Sequence, residues 1–238
     1  MADWATKRFW SEVSIEETAG GFGLRLDGRG VKTPARADVV VPTRALADMM
    51  ADEWRAQSDT VDPATMPVTR SVNAALDKVA PQRGAVEEMI IAYAETDLLC
   101  YRATSPAELI ARQNDLWDPL LAWAADGLGA PLKTTPGVMP VEQPPASVAI
   151  LRRAMAPMSV FEIAAFHDLV GLSGSFILGL AVSEGRIAGK EAWDLSRLDE
   201  EWQVSLWGRD DEADATSALK RAGFLHAERV LFAARPPG

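Results

Sequence analysis

VDPATMPVTR, residues 61–70, separates two kinds of sequence. Pro63 and Pro67 lack a backbone donor and bias the residue before them away from the helical region, so neither a strand nor a helix is expected to run through this stretch. Upstream the pattern is that of short strands. Phe9 to Glu17 mixes aromatic, β-branched and polar residues, Gly23 to Leu26 continues it, Asp27-Gly28 is a hairpin-turn signal before Val31 to Thr33, and Asp38 to Val41 adds a valine-rich run. A helix from Thr43 to about Gln57 closes this part, with Thr43 as its cap and Leu46, Met50 and Trp54 along one face. Downstream, helical periodicity predicts helices at about 68–80, 82–95, 106–127, 145–156, 160–184, 189–207 and 211–233. The expected class is α+β: a small N-terminal antiparallel β domain over residues 1–60, then a larger all-helical bundle domain over residues 61–238.

Local signals sharpen the helical part. Ser105 with Pro106 and Glu108, and Ser159 with Glu162, each have the S-x-x-E spacing in which side chain and backbone cap each other reciprocally. Pro119 should kink the helix that contains it. Leu132 to Gln143, with Pro136-Gly137 and Pro140, reads as an extended excursion or hairpin.

Bulk properties exclude several classes. The formal charge of −10 argues against a nucleic-acid surface, which needs a concentrated basic face. One cysteine, Cys100, permits no intramolecular disulfide and suits a reducing, cytoplasmic compartment. The N-terminus lacks the basic start and apolar run of a signal peptide, and the most apolar stretch, Leu169 to Val182, is short of the roughly 20 residues that span a bilayer. No membrane insertion is expected, and the chain is taken to be a monomer.

Chemistry is poorly signposted. His167 and His226 lie far apart, and neither His-x-x-x-His nor Cys-x-x-Cys occurs, so no metal or other cofactor is expected. Cys100 lies among apolar residues and reads as a packed, inert thiol. Gly20-Gly21-Phe22-Gly23 precedes a strand rather than opening a helix, which suits a bulge or turn and not a phosphate cradle. Gly171 to Ser175, GLSGS, lacks nucleophile-elbow spacing and reads as a place where helices approach closely. The alternatives to a binding protein are a small carboxylate hydrolase or isomerase using Glu88, Asp97 or Asp168, and a nucleotide-sensing regulator.

One segment stands out. Ser196 to Gly208, SRLDEEWQVSLWG, together with Trp193 and Leu195 makes two apolar stripes on a helical wheel: Leu195, Leu198, Trp202 and Leu206 on one side, and Trp193, Val204 and Trp207 on the other, with Glu200 among them. Either both stripes are core, with Glu200 paired to Arg197 or a neighbouring helix, or the second awaits a partner. From Glu191 to Asp214 there are nine acidic residues against two basic ones, a surface that steers a basic or amphipathic client.

Several blocks carry a family resemblance: KRFWSEV (7–13), LDGRGVKTPAR (26–36), EW (53–54), DPATMPVTRSVNAALD (62–77), YAETDLLCYRA (93–103), QNDLWDPLLAWA (113–124), GVMPV (137–141) and SRLDEEWQVSLWG. Jointly they resemble the assembly-factor family, mitochondrial and bacterial, that chaperones the alpha subunit of the F1 part of ATP synthase. The resemblance implies a β-containing N-terminal domain, a helical C-terminal domain and no catalysis. The alpha subunit is its implied partner, with the face destined for the beta subunit shielded until assembly. It places the functionally important acid among Asp199, Glu200 and Glu201, and the lack of a targeting extension before the first block suits a bacterial cytoplasmic member. The expected client-binding residues are Glu200, Asp199, Glu201, Trp193, Trp207 and Arg197.

Overall fold

The computed structural model describes residues 7–236. Its residues fall into two compact units. One takes the described residues up to Arg83 with Met158–Ala165 and those from Arg229; the other takes Gly84–Pro157 and Phe166–Glu228. The proline-marked boundary at 60/61 therefore falls inside the first unit.

That first unit is built on strands β1 (Val13–Thr18), β2 (Gly21–Leu26), β3 (Arg29–Gly30) and β4 (Val40–Val41), with β2 paired antiparallel to the other three. β1 starts at Val13, so the aromatic residues before it lie outside the ladder, and Val31 follows β3 rather than opening it. The β2–β3 turn has φ of +46° at Asp27 and +78° at Gly28, which the Asp-Gly pair tolerates. Backbone N–H groups of Glu12 and Ser11 donate to the Asp27 carboxylate and hold its pKa below the usual range. Gly21 is a steric requirement: a Cβ there would lie 2.2 Å from the Val41 carbonyl oxygen. The glycine cluster is thus a tight strand entry.

Helix α1 (Arg44–Arg55) covers the sheet with Leu46, Ala47, Met50 and Ala51, and the Thr43 hydroxyl accepts from the Leu46 N–H at 3.1 Å as its cap. α2 (Pro67–Ala74) starts where Pro67 loses nothing by lacking an N–H, and continues through a π-helical turn over Ala75–Val79. Glu53 of α1 accepts from the Val68 and Thr69 N–H groups at 2.6 and 2.8 Å, which explains why α2 belongs with the sheet unit.

The second unit is helical: α3 (Arg83–Glu95), α4 (Ala107–Asp126), α5 (Pro145–Met155), α6 (Val160–Ser173), α7 (Phe176–Ser183), α8 (Gly189–Ser196), α9 (Leu198–Trp207) and α10 (Asp211–Ala233), with α3, α6 and α10 each lending one end to the first. The excursion at 132–143 is extended, and its strand β6 (Thr135–Pro136) pairs parallel with β5 (Tyr101–Arg102). Two expected helices are each divided. The 160–184 helix stops at Gly174 (φ +72°) and restarts with Ser175 as cap, its hydroxyl accepting from Leu178 N–H. The 189–207 helix is interrupted at Arg197 (φ −106°, ψ 13°).

Of the two capping boxes, Ser159/Glu162 forms in both directions, at 2.8 and 3.3 Å. The Ser105 one does not: the cap position is Pro106, and Ser105 lies one residue outside it. α4 runs through Pro119. Close helix approach occurs at Gly179 of α7, where a Cβ would meet Val170 Cγ2 at 2.7 Å.

Candidate functional site

The break at Arg197 changes what the two stripes mean, because α8 and α9 are not one helical wheel. Trp193 on α8 is interior at 3% exposure, its ring 5.8 Å from Phe224 and covered by the Arg197 guanidinium at 5.7 Å. It is not an exposed anchor, which corrects the expectation that it would face a client. Trp207 at the far end of α9 is 78% exposed and its neighbour Leu206 57%. Each stripe runs from core to solvent: Leu198 is buried, Trp202 and Val204 are half-buried, and the end of the helix is open.

The α8–α9 corner is held by contacts from α4. Gln113, 1% exposed, donates through Nε2 to Asp199 Oδ1 at 2.7 Å, while its Oε1 accepts from Ala103 N–H at 2.8 Å. Trp117 donates its indole N–H to the Leu195 carbonyl at 3.1 Å. Asn114 and Asp118 accept from the Arg102 guanidinium at 3.0 and 2.7 Å. The block QNDLWDP thus ties the β5 strand and the α8–α9 corner to one helix. Gln113 carries no signal in composition or periodicity; only its place in the family-like block QNDLWDPLLAWA points to it.

The three acids occupy the first turn of α9, which has no side-chain cap, so their charge offsets the positive helix end. They differ in setting. Asp199 is half-buried and held by Gln113; Glu200 meets Arg197 at 2.6 Å with half its side chain exposed; Glu201 is exposed. A partly exposed i,i+3 pair such as Arg197–Glu200 contributes on the order of 0–1 kcal/mol, so little of the stability of α9 rests on it. Arg197 therefore both covers Trp193 and engages Glu200.

The residues suggested for hydrolytic chemistry have other roles. Asp97 is fully buried and accepts from Ser175 Oγ at 2.7 Å, Ile177 N–H at 2.9 Å and Leu99 N–H at 3.0 Å, closing the start of α7 onto the 98–100 turn. Burial raises its pKa to about 6 against those hydrogen bonds. Glu88 pairs with Arg152 on the surface, which lowers its pKa, and Asp168 is exposed beside His167. Cys100 is buried and its thiol is pushed up to about 12, chiefly by desolvation, so it is no nucleophile. Among the described residues no group of three or more His, Cys, Asp or Glu side chains could hold a metal ion, and no helix is long and apolar enough to cross a membrane.

Comparison with known proteins gives this helical corner its context. A family model described as ATP12 chaperone protein matches residues 7–125. The mitochondrial protein atp12 of Schizosaccharomyces pombe is 26% identical over 219 residues, covering 87% of this chain and 75% of that protein. The crystal structure of Atp12 from Paracoccus denitrificans is 47% identical, covers 96% of this chain and 98% of its own, and superposes with a TM-score of 0.93. The Atu1473 protein of Agrobacterium tumefaciens is 42% identical, with coverages of 96% and 86% and a TM-score of 0.91. The fold is that of a chaperone with an N-terminal antiparallel sheet and a larger helical part. The chain belongs to the ATP12 chaperone family.

Proposed function

We propose that this chain is a non-enzymatic chaperone of ATP synthase assembly, which binds the unassembled alpha subunit of F1 through the α9 segment and releases it when the beta subunit arrives. The observation that carries this reading is the placement of Trp207 and Leu206 in solvent on the helix whose first turn holds Asp199, Glu200 and Glu201. Large exposed apolar groups on the same short helix as solvent-facing carboxylates suit recognition of a partner, since aromatic area supplies affinity and charge fixes orientation. Glu200 and Glu201, the more exposed of the three acids, are the ones assigned to the client in this reading, and Asp199, bonded to Gln113, orients the turn. Release needs no hydrolysis if the beta subunit's contact area on the same face is larger. The chaperone acts as a monomer in a bacterial cytoplasm, and requires neither a cofactor nor a nucleic acid.

The test is to co-express the alpha subunit with and without this chain. Soluble alpha subunit that co-purifies with the wild type and is lost with Glu200→Lys, in a variant whose circular dichroism is unchanged, is the expected result. An alpha subunit equally soluble in its absence would refute the reading.

A further inference from the structure

Between Asp199 and Gly223 no residue is buried, although this stretch holds most of α9, the α9–α10 connection and the first half of α10. Burial resumes only at Phe224. The hairpin therefore has little core of its own, yet it carries apolar groups: Leu206 and Trp207 towards its tip, and Leu219 on α10 at 77% exposure. Leu219 was not singled out by any sequence pattern, because the helix around it is polar. The charge of the hairpin is also one-sided, with seven acidic against three basic residues over 199–222. Arg209 is occupied by Asp214 at 3.1 Å.

The groove next to it differs in its charge. It encloses about 720 Å³ between α4, α8 and α9, and its lining carries three acids (Glu191, Asp194, Glu201) balanced by three bases (Arg112, Lys190, Arg197). Such a surface offers a charged client segment no net attraction, whereas the hairpin does.

We propose that the hairpin is the inserted partner rather than the receptacle: it enters a concave, apolar-floored pocket rimmed by basic side chains on the unassembled subunit. This rests on the alpha-subunit reading above and adds the direction of the fit, with the client supplying the pocket and the chaperone the projection. Trp207 and Leu219 both lose solvent on binding, and Asp211 and Glu212 meet the client's cations. Exposed apolar groups on a hairpin with little core are thereby completed by the client, and the acidic flanks keep copies of the chaperone from docking on one another.

The test places a photo-crosslinking benzoylphenylalanine at Trp207, Leu219 or, in the groove, Leu116 of the full chain, and irradiates each in complex with the alpha subunit. Crosslinks from both Trp207 and Leu219 to client peptides rich in arginine or lysine are expected. In parallel, Leu219→Asp should weaken client binding about tenfold or more while Leu116→Asp changes it less than about threefold, as expected for a central and a peripheral position. Crosslinks from Leu116 alone, or from Trp207 with Leu219 silent, overturn insertion while leaving alpha-subunit binding standing. If the unsubstituted chain forms no complex at all, the underlying reading fails and the insertion with it.

Discussion

Trp193 and Trp207 belong to one stripe of the sequence, and replacing each by alanine should have opposite consequences. Trp193 is 3% exposed, packs on Phe224 and lies beneath the Arg197 guanidinium. Removing a buried indole costs roughly 3–5 kcal/mol of stability through lost transfer energy and the cavity left behind. For a chain of this size each kcal/mol lowers Tm by about 2–4 °C, so Trp193→Ala should melt roughly 6–20 °C below wild type. Trp207 is 78% exposed, so Trp207→Ala should change stability by no more than about 0.5 kcal/mol. Its effect belongs to binding: loss of an aromatic anchor of about 2 kcal/mol corresponds to a Kd raised roughly 30-fold. Calorimetric melting of both variants, with titration of each against purified alpha subunit, separates the two. Equal losses of Tm, or unchanged affinity in Trp207→Ala, would show that the stripe is divided wrongly between core and surface.

Three further consequences follow from the interior contacts. Gln113→Leu removes the donor to Asp199 and the acceptor for Ala103, leaving two polar groups unmatched at a cost of roughly 2–4 kcal/mol, and should loosen α9 measurably in hydrogen exchange while α7 stays protected. Asp97 binds its proton more tightly when folded, with a pKa of about 6 against 3.8 when exposed, so its favourable contribution is complete below pH 3.8 and lost as pH rises through 6. The stability of wild type relative to Asp97→Asn should therefore fall by roughly 3 kcal/mol between about pH 3.5 and 7.5, and a flat difference in denaturant melts would disprove that burial dominates this carboxyl. Gly21→Ala should destabilise the sheet unit by more than about 2 kcal/mol, because the added methyl meets the Val41 carbonyl and the residue sits at φ +131°; a chemical-denaturation midpoint within error of wild type would count against it.

Much of this arrangement was legible in the residues, and the rest was hidden for identifiable reasons. The antiparallel start, the Asp27-Gly28 turn, the Thr43 cap and the Ser159/Glu162 box are local devices whose partners lie within a few positions, so their spacing declares them. The interruption at Arg197 was not visible because its flanks, AWDLS and LDEEW, both suit a helix, and the break depends on tertiary contacts such as Trp117 with the Leu195 carbonyl. That single break turned Trp193 inward and left Trp207 in solvent. Asp97 looked like a candidate acid for the same reason that it is a good structural one: its donors, Ser175 and Ile177, lie about eighty positions away and make no pattern with it. Of the acidic turn, the sequence located the three carboxylates but could not rank them, because Gln113 approaches from a distant helix.

The most direct measurement is the equilibrium between purified alpha subunit and this chain, wild type and Glu200→Lys/Glu201→Lys, followed by sedimentation at two salt concentrations. A one-to-one complex that weakens with salt and is lost on charge reversal, with the variant still folded, is the outcome expected here. A complex of undiminished affinity in the doubly reversed variant would mean that the acidic turn and its exposed tryptophan do not form the docking face.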